Sequence, residues 1–329
     1  MHVWRARGPL AWLLLPIGFV FFLLAALRRV GYRHGWFRAE RLPVPVVVVG
    51  NIVAGGAGKT PLTLWLAQRL TALGRKPGIV SRGYGRDAIA VKEVGAGDTA
   101  QTAGDEPLLL VRRSGCPVFV GSDRAAAARA LLAAHPDCDL ILCDDGLQHY
   151  RLQRDLEIAV VDRRGLMNGW PLPAGPLREP AGRLAAVDAV VLHDSESSLP
   201  PGVTKFRMRL QGGRCYRLDD PATTCDAGDL AAGTLHAVAG IAEPQRFFDH
   251  LAALGLSFVP HAFPDHHRYT SADLSFGGGA ILTTEKDALK CAGLTALPIW
   301  VLPVDAVIDP DLARFALDAL EKFDGSASA

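Results

Sequence analysis

The stretch VVVVGNIVAGGAGKT, residues 46–60, decides the fold. Val46 to Val49 is a short β-branched run, the mark of a parallel strand buried on both faces. A glycine-rich loop follows. Pro61 to Leu73 then predicts a helix with proline in its first turn and Leu62, Trp65, Leu66, Leu70 and Leu73 on its apolar face. Strand, glycine-rich turn and helix in that order make an anion cradle, because backbone N–H groups of the turn and first helical turn converge on phosphate oxygens. The segment Val53-Ala54-Gly55-Gly56-Ala57-Gly58-Lys59-Thr60 ends in G-K-T as a Walker A loop should, although the strict pattern wants glycine where this chain has Val53. Lys59 is expected to neutralise phosphate charge and Thr60 to hold Mg²⁺.

Leu140-Ile141-Leu142-Cys143-Asp144-Asp145 is an apolar strand ending in two acids, the Walker B arrangement, which assigns Asp144 and Asp145 to the metal. Together the two motifs point to Mg-nucleotide chemistry. Strand patterns at 77–80, 118–120, 158–161 and 189–192 alternate with helical ones. The predicted fold is therefore α/β, a P-loop NTPase-type doubly wound parallel sheet. A linker-like DSESSLPP (194–201) precedes two polar alternating segments, Lys205–Leu210 and Arg214–Leu218, expected to pair as a small antiparallel unit. A second, smaller α/β domain opens at His236. The expected boundaries are an N-terminal membrane helix over 1–30, a P-loop core over 31–205, a β linker over 206–235 and the second domain over 236–329.

Charge divides the chain in the same way. The whole carries 35 basic and 34 acidic side chains, net +1. Residues 1–41 hold seven arginines and one acid, net +6, which leaves the remainder at −5. A body of that sign argues against nucleic acid as a partner. Gly8 to Leu27 is 20 uncharged residues, about 30 Å of helix at ~1.5 Å per residue, and predicts a membrane anchor. Pro16 and Gly18 are expected to kink or weaken it. A secretory signal peptide, a monotopic segment and a buried core helix are the rival readings. Basic residues are denser after the segment than before it, which places the body on the cytoplasmic side. Six cysteines without a C-x-x-C pair fit a reducing compartment.

Further patches fall where such a sheet places its ligands, at the C-terminal ends of strands. Ser81-Arg82-Gly83-Tyr84-Gly85-Arg86 suits an anionic substrate, and Gly104-Asp105-Glu106-Pro107 reads by pattern as a helix cap. Asp265-His266-His267 suits proton transfer better than a metal.

Taken in order, VGNIVAGGAGKTP (49–61), SRGYGR (81–86), GDEP (104–107), VGSDR (120–124), DDGLQH (144–149), PAGPLRE (173–179), FPDHHRYT (263–270) and TTEKDA (283–288) closely resemble the tetraacyldisaccharide 4'-kinases of lipid A biosynthesis. That family's loop also lacks the early glycine. The resemblance implies ATP-dependent phosphorylation of a lipid A disaccharide precursor at the cytoplasmic face of the bacterial inner membrane. Inner-membrane lipid is the implied surroundings, and no protein partner is predicted. It implies Asp105 as base with His266 as its partner, Asp144 and Asp145 at the metal and nucleotide, and Gln148, Arg178 and Glu179 as further active-site positions. Ser81, Arg82 and Arg86 are expected to line the substrate site. The alternative, a regulatory ATPase of the MinD/ParA type, would carry a signature lysine where this chain has Ala54.

Overall fold

In the computed structural model, which describes residues 2–86, 89–95, 97–230, 233–309 and 311–326, the valine run is the central strand of a nine-stranded sheet. A short helix α1 (His2–Arg5) and the long α2 (Pro9–Arg33) come first. Then follow β1 (Val46–Gly50), α3 (Lys59–Ala72), β2 (Pro77–Ser81), β3 (Lys92–Glu93), α4 (Ala100–Ala103) and α5 (Asp105–Ser114). The unit continues through β4 (Val118–Val120), α6 (Arg124–Ala134), β5 (Leu140–Asp144), β6 (Leu156–Asp162), β7 (Ala189–His193) and β8 (Lys205–Gln211). β1 lies between β5 and β6, parallel to both, and every residue of β1 and β5 is buried. Burial on both faces explains why these strands read as unbroken apolar runs rather than alternating ones.

The second unit contains β9 (Arg214–Arg217), β10 (Thr224–Asp226), β11 (Leu235–Ala239), α7 (Pro244–Ala253), β12 (Val259–Ala262), β13 (Ala280–Thr284), α8 (Glu285–Cys291) and β14 (Ile299–Leu302). Its six strands run in the order β10-β9-β14-β13-β11-β12. The chain then returns through β15 (Asp305–Asp309) and α9 (Leu312–Ser326) to the first sheet, whose order is β15-β8-β7-β6-β1-β5-β2-β4-β3.

Two expectations need correction. The segments 205–210 and 214–218 do not pair with each other: β8 runs parallel to β7 in the first sheet, whereas β9 runs antiparallel to β14 in the second. The second unit also does not extend to the chain end. β15 pairs antiparallel with β8, and Leu312, Ala316 and Leu320 of α9 join Leu62, Leu66 and Leu70 in one core. The apolar stripe of α9 had no partner in its own unit and found one on α3. The chain thus crosses between the sheets twice, at Gly212-Gly213 and at Pro303-Val304. The crossings touch so closely that a Cβ on Gly212 would stand 2.2 Å from the Pro303 carbonyl oxygen.

α2 continues as one helix through Pro16 and Gly18. Most of its apolar side chains face outward, Leu13 at 73% and Phe19 at 70% exposure, which removes the core-helix reading. One narrow face docks on the loop after β6. Gly18 packs where a Cβ would lie 3.1 Å from the Pro171 carbonyl oxygen, and Trp12 meets Trp170 edge-on at 4.8 Å. Trp4 Nε1 donates to the Pro173 carbonyl (3.0 Å), and Asn168 N–H donates to that of Trp4 (3.0 Å). Gly18 is thus a contact residue, kept small by a neighbouring loop. Gly18→Leu should lift α2 off this loop without melting it. The expected result is loss of the exciton circular-dichroism band of the Trp12–Trp170 pair at unchanged helix content; an unaltered band would contradict the docking.

Candidate active site

The loop between β1 and α3 is held from outside, through its carbonyls. Asn51 Nδ2 and Lys59 Nζ donate to the Gly55 carbonyl (3.3 and 3.4 Å). Arg164 Nη2 donates to that of Gly56 (2.6 Å), and a ring nitrogen of His193 bonds that of Ala57 (2.9 Å). With successive carbonyls turned outward, the N–H groups are free to converge on an anion. Gly58 has φ of 93°, and a Cβ there would meet His193 Nδ1 at 2.5 Å, so glycine is required twice over. Val53 bridges to Leu177, and Ala54 N–H donates to the Pro176 carbonyl (2.8 Å). A valine at the unusual Walker position therefore anchors the loop to the same 170–179 segment on which α2 docks.

Thr60 and the acids of β5 meet at the start of α3. Thr60 Oγ1 lies 3.4 Å from Asp144 Oδ2, and Thr63 Oγ1 donates to Asp144 Oδ1 (3.0 Å). Burial, then the nearby Glu106 carboxylate, pushes Asp144 up to about 7. Asp145 differs: it pairs with Arg178 (3.1 Å) and Lys59 (3.7 Å), and these cations hold its pKa below the usual carboxylate range against the opposing effect of burial. A hydroxyl and a buried carboxylate in contact make a hard-oxygen donor pair suited to Mg²⁺. Arg124, 1% exposed at the start of α6, adds a positive charge within electrostatic reach of both acids.

Asp105 opens α5 after Gly104, whose φ of 90° and contact with the Tyr84 carbonyl oxygen admit no side chain. It is not the cap of that helix: Gly104 holds the cap position, and His266 Nδ1–H donates to both Asp105 oxygens (3.0 and 3.1 Å). His266 stands beyond β12 in the second unit, so this pair joins the two units. Lys286 and Lys290 of α8 each place Nζ 3.7 Å from Asp105 Oδ2. Burial would raise the Asp105 pKa, but the His266 hydrogen bond and the two lysines overcome it and hold it at about 2. The same hydrogen bond raises the pKa of His266. Within the Asp265-His266-His267 run, Asp265 joins the same cluster through Lys286 (3.0 Å), whereas His267 turns to Asp273 (3.3 Å).

The remaining predicted residues split into two groups. Gln148 Nε2 donates to Glu179 (2.8 Å) and to the Asn51 carbonyl (3.0 Å), while buried Glu179 also receives Tyr150 and lies 3.4 Å from Arg183. Gln148 and Glu179 thus brace the loop from behind, with Arg178 beside them on Asp145. Ser81 is buried at the end of β2, Arg82 is exposed, and Arg86 bonds the Ile89 carbonyl (2.9 Å). A cleft of about 70 Å³ is lined by Tyr84, Gln101, Asp105, His266, Arg268 and Lys290, and none of Ser81, Arg82 and Arg86 belongs to its lining. Sequence reasoning missed Lys286, Lys290, Arg164 and His193. The lysines carried a readable signal, since i and i+4 on a helix entered from a strand end face the same cleft.

A glycine-rich loop ending in Lys-Thr, a strand-end acid touching that threonine and a histidine-paired carboxylate across a cleft define a P-loop phosphotransferase. The family model for tetraacyldisaccharide-1-P 4'-kinase matches residues 10–321, and the chain belongs to that family. It is 56% identical over 321 residues to a tetraacyldisaccharide 4'-kinase of Azoarcus sp. (strain BH72), covering 97% of this chain and 94% of that one. To the enzyme of Dechloromonas aromatica it is 53% identical over 319 residues, covering 96% and 94%. A crystal structure of LpxK from Aquifex aeolicus in complex with ATP superposes with a TM-score of 0.81 at 27% identity, covering 94% of this chain and 99% of that one.

A carboxylate whose folded pKa is depressed stabilises the fold above its unfolded value and loses that contribution as pH falls through the folded value. For Asp105, held at about 2, the contribution is of order 2 kcal/mol. Asp105→Asn should therefore lower unfolding free energy by about that amount near neutral pH, with the deficit shrinking between pH ~4 and ~2. Denaturant titrations at several pH values measure this. A pH-independent deficit would remove the ion cluster as its cause.

Proposed function

We propose that this chain transfers the γ-phosphoryl group of ATP to the 4'-hydroxyl of a tetraacyldisaccharide 1-phosphate, the lipid A precursor. The observation that carries the reading is the Asp105–His266 pair, which spans the two units at 3.0 Å and lines the cleft. A nucleotide switch has no need of a base facing a second substrate.

The hydroxyl oxygen bonds to the γ-phosphorus as the bond to the β–γ bridging oxygen breaks, and ADP leaves with that electron pair. The transition state is loose, so the hydroxyl loses its proton late and a strong base is unnecessary. Asp105, fully ionised at neutral pH, accepts the proton, and His266 Nδ1–H fixes the carboxylate plane toward the acceptor. Lys59 and the loop N–H groups take the phosphate charge. Thr60 and Asp144 would hold Mg²⁺, which when bound neutralises charge between the phosphates. Asp145 keeps Lys59 and Arg178 in register, and Arg82 or Arg86 helps hold the acceptor's own phosphate.

α2, uncharged from Gly8 to Leu27 and largely outward-facing, anchors the body in the inner membrane. The flanking arginines orient the body to the cytoplasmic face. The acceptor's acyl chains can then stay in the bilayer while its sugar reaches the cleft.

Detergent-solubilised full chain, incubated with ATP, Mg²⁺ and the disaccharide 1-phosphate, should yield a lipid heavier by one phosphoryl group in mass spectrometry. ATP hydrolysis indifferent to the lipid, with no lipid product, would overturn the reading. Asp105→Ala should lower kcat by about 10²-fold or more while ATP affinity is largely kept. A kcat near that of wild type would strip Asp105 of its role as base. Lys59→Ala should depress phosphoryl transfer even at saturating ATP, read as initial rates.

A further inference from the structure

His193 ends β7 and is 1% exposed, yet no motif singled it out. Its ring lies under the phosphate loop. Nδ1 is 2.9 Å from the Ala57 carbonyl oxygen, which can only accept, so Nδ1 carries the proton. Nε2 is 2.7 Å from Arg246 Nη2, which can only donate, so Nε2 carries none. Asp194 Oδ2 also lies 3.4 Å from Nε2 but is engaged at shorter range by Arg246, so the two closest neighbours specify the neutral Nδ1–H tautomer. Arg246 belongs to α7 of the second unit and also donates to Asp194 (2.9 Å). The next carbonyl back, Gly56, has a parallel arrangement. Arg164 donates to it (2.6 Å), braced by Asp162 (2.7 Å), and Glu243 at the start of α7 lies 3.6 Å from Arg164. Ala242 packs on Gly56, where a Cβ would lie 3.3 Å from the alanine methyl.

We infer that His193 is a positioning residue for the nucleotide, held in one tautomer by Arg246 so that the seating of the second unit sets the aim of the phosphate-loop N–H groups. The inference rests on the loop being the ATP site. It differs from the Asp105–His266 link in acting on nucleotide affinity rather than on the acceptor hydroxyl. Burial and the Arg246 charge both lower the His193 pKa, with the Ala57 hydrogen bond, Asp194 and Asp162 opposing.

The test combines a binding titration with a ring-nitrogen spectrum. Full-length protein labelled with ¹⁵N-histidine should show one protonated and one unprotonated ring nitrogen for His193 near neutral pH, assigned by their absence in His193→Asn. Nε2–H or imidazolium in wild type would overturn the inference. Arg246→Met, at a half-buried site on the unit boundary, should weaken binding of a non-hydrolysable ATP analogue about tenfold, leaving kcat at saturating ATP nearly unchanged. His193→Leu should weaken binding at least as much. His193→Asn keeps an N–H donor near the Nδ1 position and should restore most of the affinity. Wild-type affinity in both Arg246→Met and His193→Leu would dismiss the relay while leaving the kinase reading intact. Failure of wild type itself to bind the analogue would dismiss the kinase reading instead.

Discussion

The orientation of three peptide groups, at Gly55, Gly56 and Ala57, is the constraint on which the rest of the structure depends. An N–H array can face an anion only if the carbonyls turn the other way, and carbonyls turned into protein need donors. Here the donors come from β1, α3, the β6 loop and the end of β7. The parallel order that places β6 and β7 beside β1 is what brings Arg164 and His193 under the loop. Sheet topology and anion site are thus one requirement seen at two scales.

The second unit is tied to the first by charge on both sides of the cleft and by chain at its back. On one side His266, Lys286 and Lys290 surround Asp105; on the other Glu243 and Arg246 reach the residues beneath the phosphate loop. At the back, two adjacent crossings connect the sheets, and β15 with α9 completes the first core. Backbone strain gathers in the same places. Asp145, Met167, Asp194 and His266 have φ values of 50°, 51°, 46° and 59°. Such positions cost roughly 1–3 kcal/mol each and persist where surrounding contacts over-determine them. His266 lines the cleft, Asp145 takes Arg178 and Lys59, Asp194 takes Arg246, and Met167 lies in the loop that receives α2.

Much of the fold and site was legible because it is local. Val46–Val49, the glycines before Lys59 and the run Leu140–Asp145 declare strand, loop and strand end through neighbours a few residues apart. Other assignments failed or were missing because their causes are remote. Lys205–Leu210 looked able to pair with the next strand, but β7 offered a parallel edge and Gly212 turned the chain away. Gly18 suggested a weak point in a helix, whereas its smallness answers to Pro171. His193 carried no motif at all, since its role depends on an arginine 53 residues further along.

By itself, the sequence determined the phosphate loop, the strand ending in Asp144 and Asp145, the apolar basic-flanked N-terminal helix and the α/β alternation. Each is written in spacing and periodicity that a short segment satisfies alone. Only the tertiary structure decided that Lys286 and Lys290 join Asp105, which acid faces Thr60 and which faces Arg178, and where the last strand and helix come to rest. Those outcomes turn on long-range packing and on charges that acquire partners only when the chain has closed around them.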